Sequence, residues 1–148
     1  MFSRMLVVIA VLLSGVTLAA AQSCQDPIDA RQTLMKKSGA MAKAGSAMIK
    51  GETPFDLAKT QEIFAAFADD AAQMPKLFPD CSKTGEHSTA AATIWDRPND
   101  FAVAIAKFAA DVKAAQDNTK DVETLKASFQ TVGKNCSGCH ETFRVKRS

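Results

Sequence analysis

Histidine and cysteine are scarce in this 148-residue chain, with two of the first and four of the second. Beyond the N-terminal segment it lacks the alternating apolar–polar runs of half-buried strands, so a β architecture is not expected. No basic run interleaves with aromatic residues, and 18 lysines and arginines nearly balance 16 acidic residues, which gives no support for nucleic-acid binding. A phosphate loop, a Ser/His/Asp arrangement and a paired-carboxylate site are all missing, so an enzyme is not expected. The one long apolar run, Met5 to Leu13, is too short to span a bilayer.

That run reads instead as the centre of a secretory signal peptide over residues 1–21. Arg4 supplies the positive start and Ala19-Ala20-Ala21 the small-residue cleavage pattern. Cys24 raises a lipoprotein reading, but Ala21-Gln22-Ser23 before it is a poor lipobox. Cleavage would leave one domain over 22–148, exported to the periplasm with no membrane insertion. Losing Arg4 leaves 17 basic residues against 16 acidic ones.

The scarce residues cluster. Cys136-Ser137-Gly138-Cys139-His140 ends eight residues before the last, and C-x-x-C-H is the attachment signature of a c-type haem. The two thiols add across the vinyl groups, and the adjacent imidazole becomes an axial iron ligand. One covalent haem c is therefore expected, held by Cys136, Cys139 and His140. Two alternatives use the same residues. A thiol–disulfide redox centre normally follows a strand, and none precedes this motif. A zinc site would need a fourth ligand from Cys24, Cys81 or His87, none of which lies in a second close pair. With the C-terminal pair assigned to haem, Cys24 and Cys81 remain as the candidates for a disulfide in an oxidising compartment.

Four stretches carry helical periodicity. The first runs from about Pro27 to Lys50, with Asp26 as N-cap, Ile28, Met35, Ala42 and Ile49 at seven-residue steps, and Gly51 ending it. The second opens at the N-cap Asp56, carries Ile63, Phe64, Phe67, Ala71 and Met74, and closes at Pro75 and Pro79. The third begins between Thr93 and Pro98 and carries Phe101, Ala104, Ile105, Phe108, Val112 and Ala115. The fourth starts at Asp121 and places Val122, Leu125, Phe129, Val132, Cys136, Cys139 and Phe143 at steps of three and four. Short connections imply antiparallel neighbours, so the expected fold is all-α, an up-down-up-down four-helix bundle with the haem between helices.

What faces the iron opposite His140 decides between electron transfer and gas binding. The candidates are Met35, Met41, Met48, Met74 and His87. Met35 lies on the row facing the bundle interior. Arg31 precedes it by one turn, and the small residues Ser38, Gly39, Ala42 and Gly45 follow. A flexible core filler is the other role that pattern allows. Met41 and Met48 lie about 120° or more around the helix from Met35 and read as core. Met74 reads as packing, and His87 in Gly85-Glu86-His87-Ser88 as an exposed loop residue.

Across the expected mature chain the sequence resembles the class II c-type cytochromes, the cytochrome c-prime family, and most closely its low-spin, methionine-ligated branch. The residues are Arg31-Gln32-Thr33-Leu34-Met35, Gly51-Glu52-Thr53-Pro54-Phe55-Asp56, Met74-Pro75-Lys76-Leu77-Phe78-Pro79, Ile94-Trp95 and Cys136 through Arg144. The resemblance implies that Met35 faces the distal side of the haem. There c-prime members usually carry a leucine or another non-ligand, and the low-spin branch its sixth ligand. It places Arg31 near a haem propionate and Arg144 close to the proximal histidine. Trp95 is expected to pack in the core or against the haem edge. The Cys24/Cys81 pair is not part of the family pattern.

The function expected is periplasmic electron transfer between redox partner proteins, by one haem c with His140/Met35 ligation, from a monomer or homodimer. The rivals are a c-prime-like protein taking nitric oxide or carbon monoxide at an open or displaceable distal site and, more weakly, a thiol oxidoreductase using Cys136 and Cys139.

Overall fold

A computed structural model describes residues 24–145, so the expected signal peptide lies outside the described residues. Four long helices dominate: α1 (Gln25–Ile49), α2 (Leu57–Gln73), α4 (Pro98–Asn118) and α5 (Val122–Phe143), with α3 (Thr93–Asp96) a single turn before α4. Their ends follow from local chemistry. Asp56 caps α2 by accepting from the Lys59 amide at 3.0 Å. Asp121 forms a reciprocal capping box with Thr124 at the start of α5. Gly51, at φ 73°, takes the left-handed conformation that ends α1 at little steric cost.

Two boundaries differ from expectation. α1 begins at Gln25, a turn's edge earlier than Asp26 would cap it, and Asp26 falls in the first turn, where its charge favours the helix N-terminus. Pro75 tightens the chain into a 3₁₀ turn over Met74–Leu77 instead of stopping it, because a proline ring fits the first turn of a helix. The third stretch opens within the expected window: α3 gives one turn, Arg97 leaves the helical region at φ −131°, ψ 60°, as the proline after it favours, and α4 starts at Pro98.

The long helices form a ring in which α1 packs on α2 and α5, and α4 packs on α2 and α5. Every neighbouring pair is antiparallel. Ser38 of α1 meets Asp70 of α2 while Met48 meets Thr60. Gln61 at the start of α2 reaches Gln116 at the end of α4. Asn135 of α5 bonds Asp111 of α4, whereas Phe143 stacks edge-on to Phe101. This is the up-down-up-down four-helix bundle.

Its interior divides in two. Met48, Ile63, Phe64, Phe67, Val112, Ala115, Leu125 and Val132 form one buried cluster, and a smaller one joins Ile94, Phe101, Ile105 and Phe143. Among the described residues no helix is long and apolar enough to cross a membrane. The segment between α2 and α4 is strapped across the second end. Ala90 and Arg144 form an isolated antiparallel bridge, the Ala91 amide donates to Phe143 O at 3.0 Å, and Thr93 Oγ1 donates to Thr142 O at 2.7 Å.

The expected Cys24–Cys81 bridge is not formed in the structure: both residues are exposed free thiols. They are nevertheless neighbours, and hydrogen bonding between them holds the Cys24 thiol above its ordinary range. Packing explains the proximity, since Gln25 Nε2 donates to Glu86 O and Gly85 lies against Ile28. Joining the two sulfurs needs an oxidant to remove two electrons.

Candidate functional site

Between the smaller core cluster and α1 the helices part around a cavity of about 590 Å³. All six residues singled out from the sequence line it: Cys136, Cys139 and His140 from α5, Arg144 just after it, and Arg31 and Met35 from α1. The regular stripe of α5 explains the first three. Leu125, Val132 and Phe143 are buried on the same face, which turns the intervening sulfurs inward.

The chemistry of each group suits a macrocycle. Cys136 is exposed and Cys139 half-buried, and the partial desolvation they share by the cavity wall pushes both thiols up. Partial desolvation, with the Arg144 charge adding to it, holds the exposed His140 imidazole below its ordinary range, in the direction of the neutral form that ligates metals. Met35 is 37 % exposed, the profile of a side chain that faces the cavity, whereas Met48 is buried in the other core. Met41 packs against that same core, and Met74 against the cavity-end cluster. The remaining lining is mainly apolar, including Leu34, Phe67, Phe78, Ile94, Ile105 and Phe108. The basic Arg31, Lys36 and Arg144 supply the charge sign that complements haem propionates.

Arg31 carries a second role that its sequence neighbours do not show. Nη1 donates to Leu77 O at 3.1 Å and to Ser82 Oγ at 3.0 Å, and Nη2 to Ser82 O at 3.1 Å and Ser88 Oγ at 2.8 Å. Its guanidinium also lies 4.9 Å from the centre of the Phe78 ring. Four terminal N–H groups therefore pin residues 77–88 to α1, leaving Nε–H as the donor for anything else. His87 is exposed, as expected, but it also lines the cavity, and its φ of 60° places it in a conformation that few side chains adopt. Trp95 is half-buried in the cavity-end cluster, with Nε1 donating to Phe78 O at 3.0 Å.

The zinc alternative finds no support: among the described residues no three His, Cys, Asp or Glu side chains converge as metal ligands. Comparison with known proteins then decides the family, because the profile described as "Cytochrome C'" matches residues 26–144. The chain belongs to the cytochrome c' family. Like other members of the family it binds one covalent haem c. A protein named cytochrome c' from Rhodopseudomonas palustris is 40 % identical over 145 residues, covering 98 % of each chain. One named cytochrome c-556 from the same organism is 39 % identical over 134 residues, covering 88 % of this chain and 90 % of its own. The solved structure of Rhodopseudomonas palustris cytochrome c' superposes with a TM-score of 0.81 at 42 % identity, covering 86 % of this chain and all of that one.

Two buried polar residues near the site carry no motif in the sequence, Asp70 on the cavity wall and Ser82 behind it. Asp70 lies three residues after Phe67 on the apolar face of α2, and that misplaced carboxylate was the available signal. Ser82 is fully buried beneath Arg31, and nothing in the local pattern marks it.

Proposed function

We propose that this member of the cytochrome c' family is an exported, periplasmic electron-transfer protein. In this reading Cys136 and Cys139 would attach the haem, and His140 and Met35 would supply the ligands to its iron. The observation that carries it is that Met35, on α1, lines the same cavity as the Cys136/Cys139/His140 group on α5. The bound haem supplies one-electron exchange between ferric and ferrous iron, at a potential set by axial ligands, burial and hydrogen bonding. The chain's part is to hold two ligands on separate rigid helices, so that little moves when charge changes. Arg144 restrains the charge state of His140, and Arg31 fixes the 77–88 segment that forms part of the wall. After export, a disulfide-bearing oxidant would join the adjacent thiols of Cys24 and Cys81. The partners proposed are other redox proteins.

The relatives named cytochrome c' and cytochrome c-556 from Rhodopseudomonas palustris are 40 % and 39 % identical to this chain, so gas binding at the distal face is the competing reading. Voltammetry of the exported holoprotein tests the two. A reversible one-electron wave unmoved by carbon monoxide supports electron transfer with Met35 on the iron. A wave that shifts upward under carbon monoxide, as the gas captures ferrous iron, gives the distal site to gases.

A further inference from the structure

Asp70 has no part in that account, yet it is a carboxylic acid only 2 % exposed on the wall of the same cavity. It stands on α2, which lies diagonally across the ring from α5. Its partner is Ser38 of α1, and there the hydrogens can be counted. The Ser38 hydroxyl has one proton but contacts two acceptors, the Leu34 carbonyl oxygen at 3.1 Å and Asp70 Oδ2. One proton cannot serve both acceptors at once, so the hydrogen bond that would favour the ionised carboxylate is shared with the Leu34 carbonyl. Burial favours the neutral form and lifts the Asp70 pKa, with Asp69 assisting and Ser38 and Lys37 opposing.

The charged surroundings are few. Lys37 of α1 and Asp69 of α2 pair at 3.8 Å and offset one another. Lys36 and Arg31 come from α1, His140 and Arg144 from the end of α5, and His87 from the strapped segment. The α4 wall presents only Phe101, Ala104, Ile105 and Phe108. Coulomb coupling across one cavity lets a unit change of charge on the iron be felt by a buried carboxyl on its wall.

We propose that Asp70 is a redox-linked proton site, protonated when the iron is ferrous and ionised when it is ferric. On oxidation one electron leaves the iron for a redox partner, the Asp70 O–H bond breaks, and the proton passes to solvent. Reduction reverses both transfers. The inference rests on the haem occupying this cavity, and a purified protein without covalent haem absorbance would overturn both together.

The test is the reduction potential of the holoprotein against pH, from about 4 to 9, in wild type and Asp70→Asn. The expected result is a potential that falls as pH rises in wild type and a clear loss of that fall in the variant. Each tenfold difference in proton affinity between the two iron states amounts to about 59 mV between the plateaus. An unchanged profile in Asp70→Asn would overturn the proposal while leaving the haem assignment intact. Should that variant fail to fold, redox-difference infrared spectra of wild type labelled with ¹³C-aspartate decide. A protonated-carboxyl band that disappears on oxidation and moves with the label supports Asp70, the buried aspartate among the described residues. The lack of such a band counts against it.

Discussion

Where α1 turns into α2 and α4 into α5, Met48, Ile63, Phe64, Val112, Leu125 and Val132 fill the bundle at 4 % exposure or less. At the opposite end the same four helices part around about 590 Å³, and the buried set includes Arg31, Asp70 and Ser82. The first end is made mainly of apolar side chains packed on one another, with Thr60 and Thr119 buried there on hydrogen bonds to residues nearby in sequence. Phe64 and Phe67 pack edge-on at 6.4 Å, and Phe129 lies 5.8 Å from Phe64. The second end uses a guanidinium clamp, a backbone bridge and a strapped segment to hold a shape that apolar contacts leave incomplete. A bundle can thus concentrate stability at one end and so tolerate a large cofactor site at the other.

The sharpest way to break this comparison is to remove the attachment itself. Replacing Cys136 and Cys139 together with serine is expected to abolish haem absorbance in the denatured, acid-extracted chain. Hydrogen exchange should then accelerate around Phe101 and Phe143 far more than around Phe64 and Leu125. Next in size is the Cys24–Cys81 link: if exported protein has no titratable thiols, Cys24→Ser with Cys81→Ser should lower stability by up to about 4 kcal/mol in denaturant unfolding. Leu125→Ala, at the filled end, should cost about 2–5 kcal/mol in the same assay and leave the haem spectrum unchanged. Gly45→Ala would place a methyl 2.0 Å from Phe129 Cζ, and overpacking there should cost about 1–3 kcal/mol. The smallest effect is expected from Asp121→Ala, about 1 kcal/mol through the lost cap of α5, again without spectral change.

The filled end was the more legible from sequence. Asp56, Gly51 and Asp121 act within three residues of themselves, and the stripe of α5 repeats at helical spacing, so local chemistry marks both ends and faces. The C-x-x-C-H cluster was legible for the same reason. The clamp was not. Arg31 meets partners 46 to 57 residues away, and only the fold brings Leu77, Ser82 and Ser88 around it. Periodicity put Met35 on an interior row but carried no information that this part of the interior is a cavity, because that depends on what the three facing helices leave unfilled. The Cys24/Cys81 neighbourhood followed from antiparallel topology, whereas their oxidation state is set by the surroundings and not by the chain.

What faces His140 across the cavity decides between electron transfer and gas binding. The most direct measurement is the visible spectrum of the reduced holoprotein with and without carbon monoxide, for wild type and Met35→Ala. The prediction is sharp low-spin bands indifferent to the gas in wild type, and high-spin bands that shift with it in the variant. A wild-type spectrum that is already high-spin and responds to carbon monoxide as the variant does would remove Met35 from the iron and contradict the electron-transfer reading.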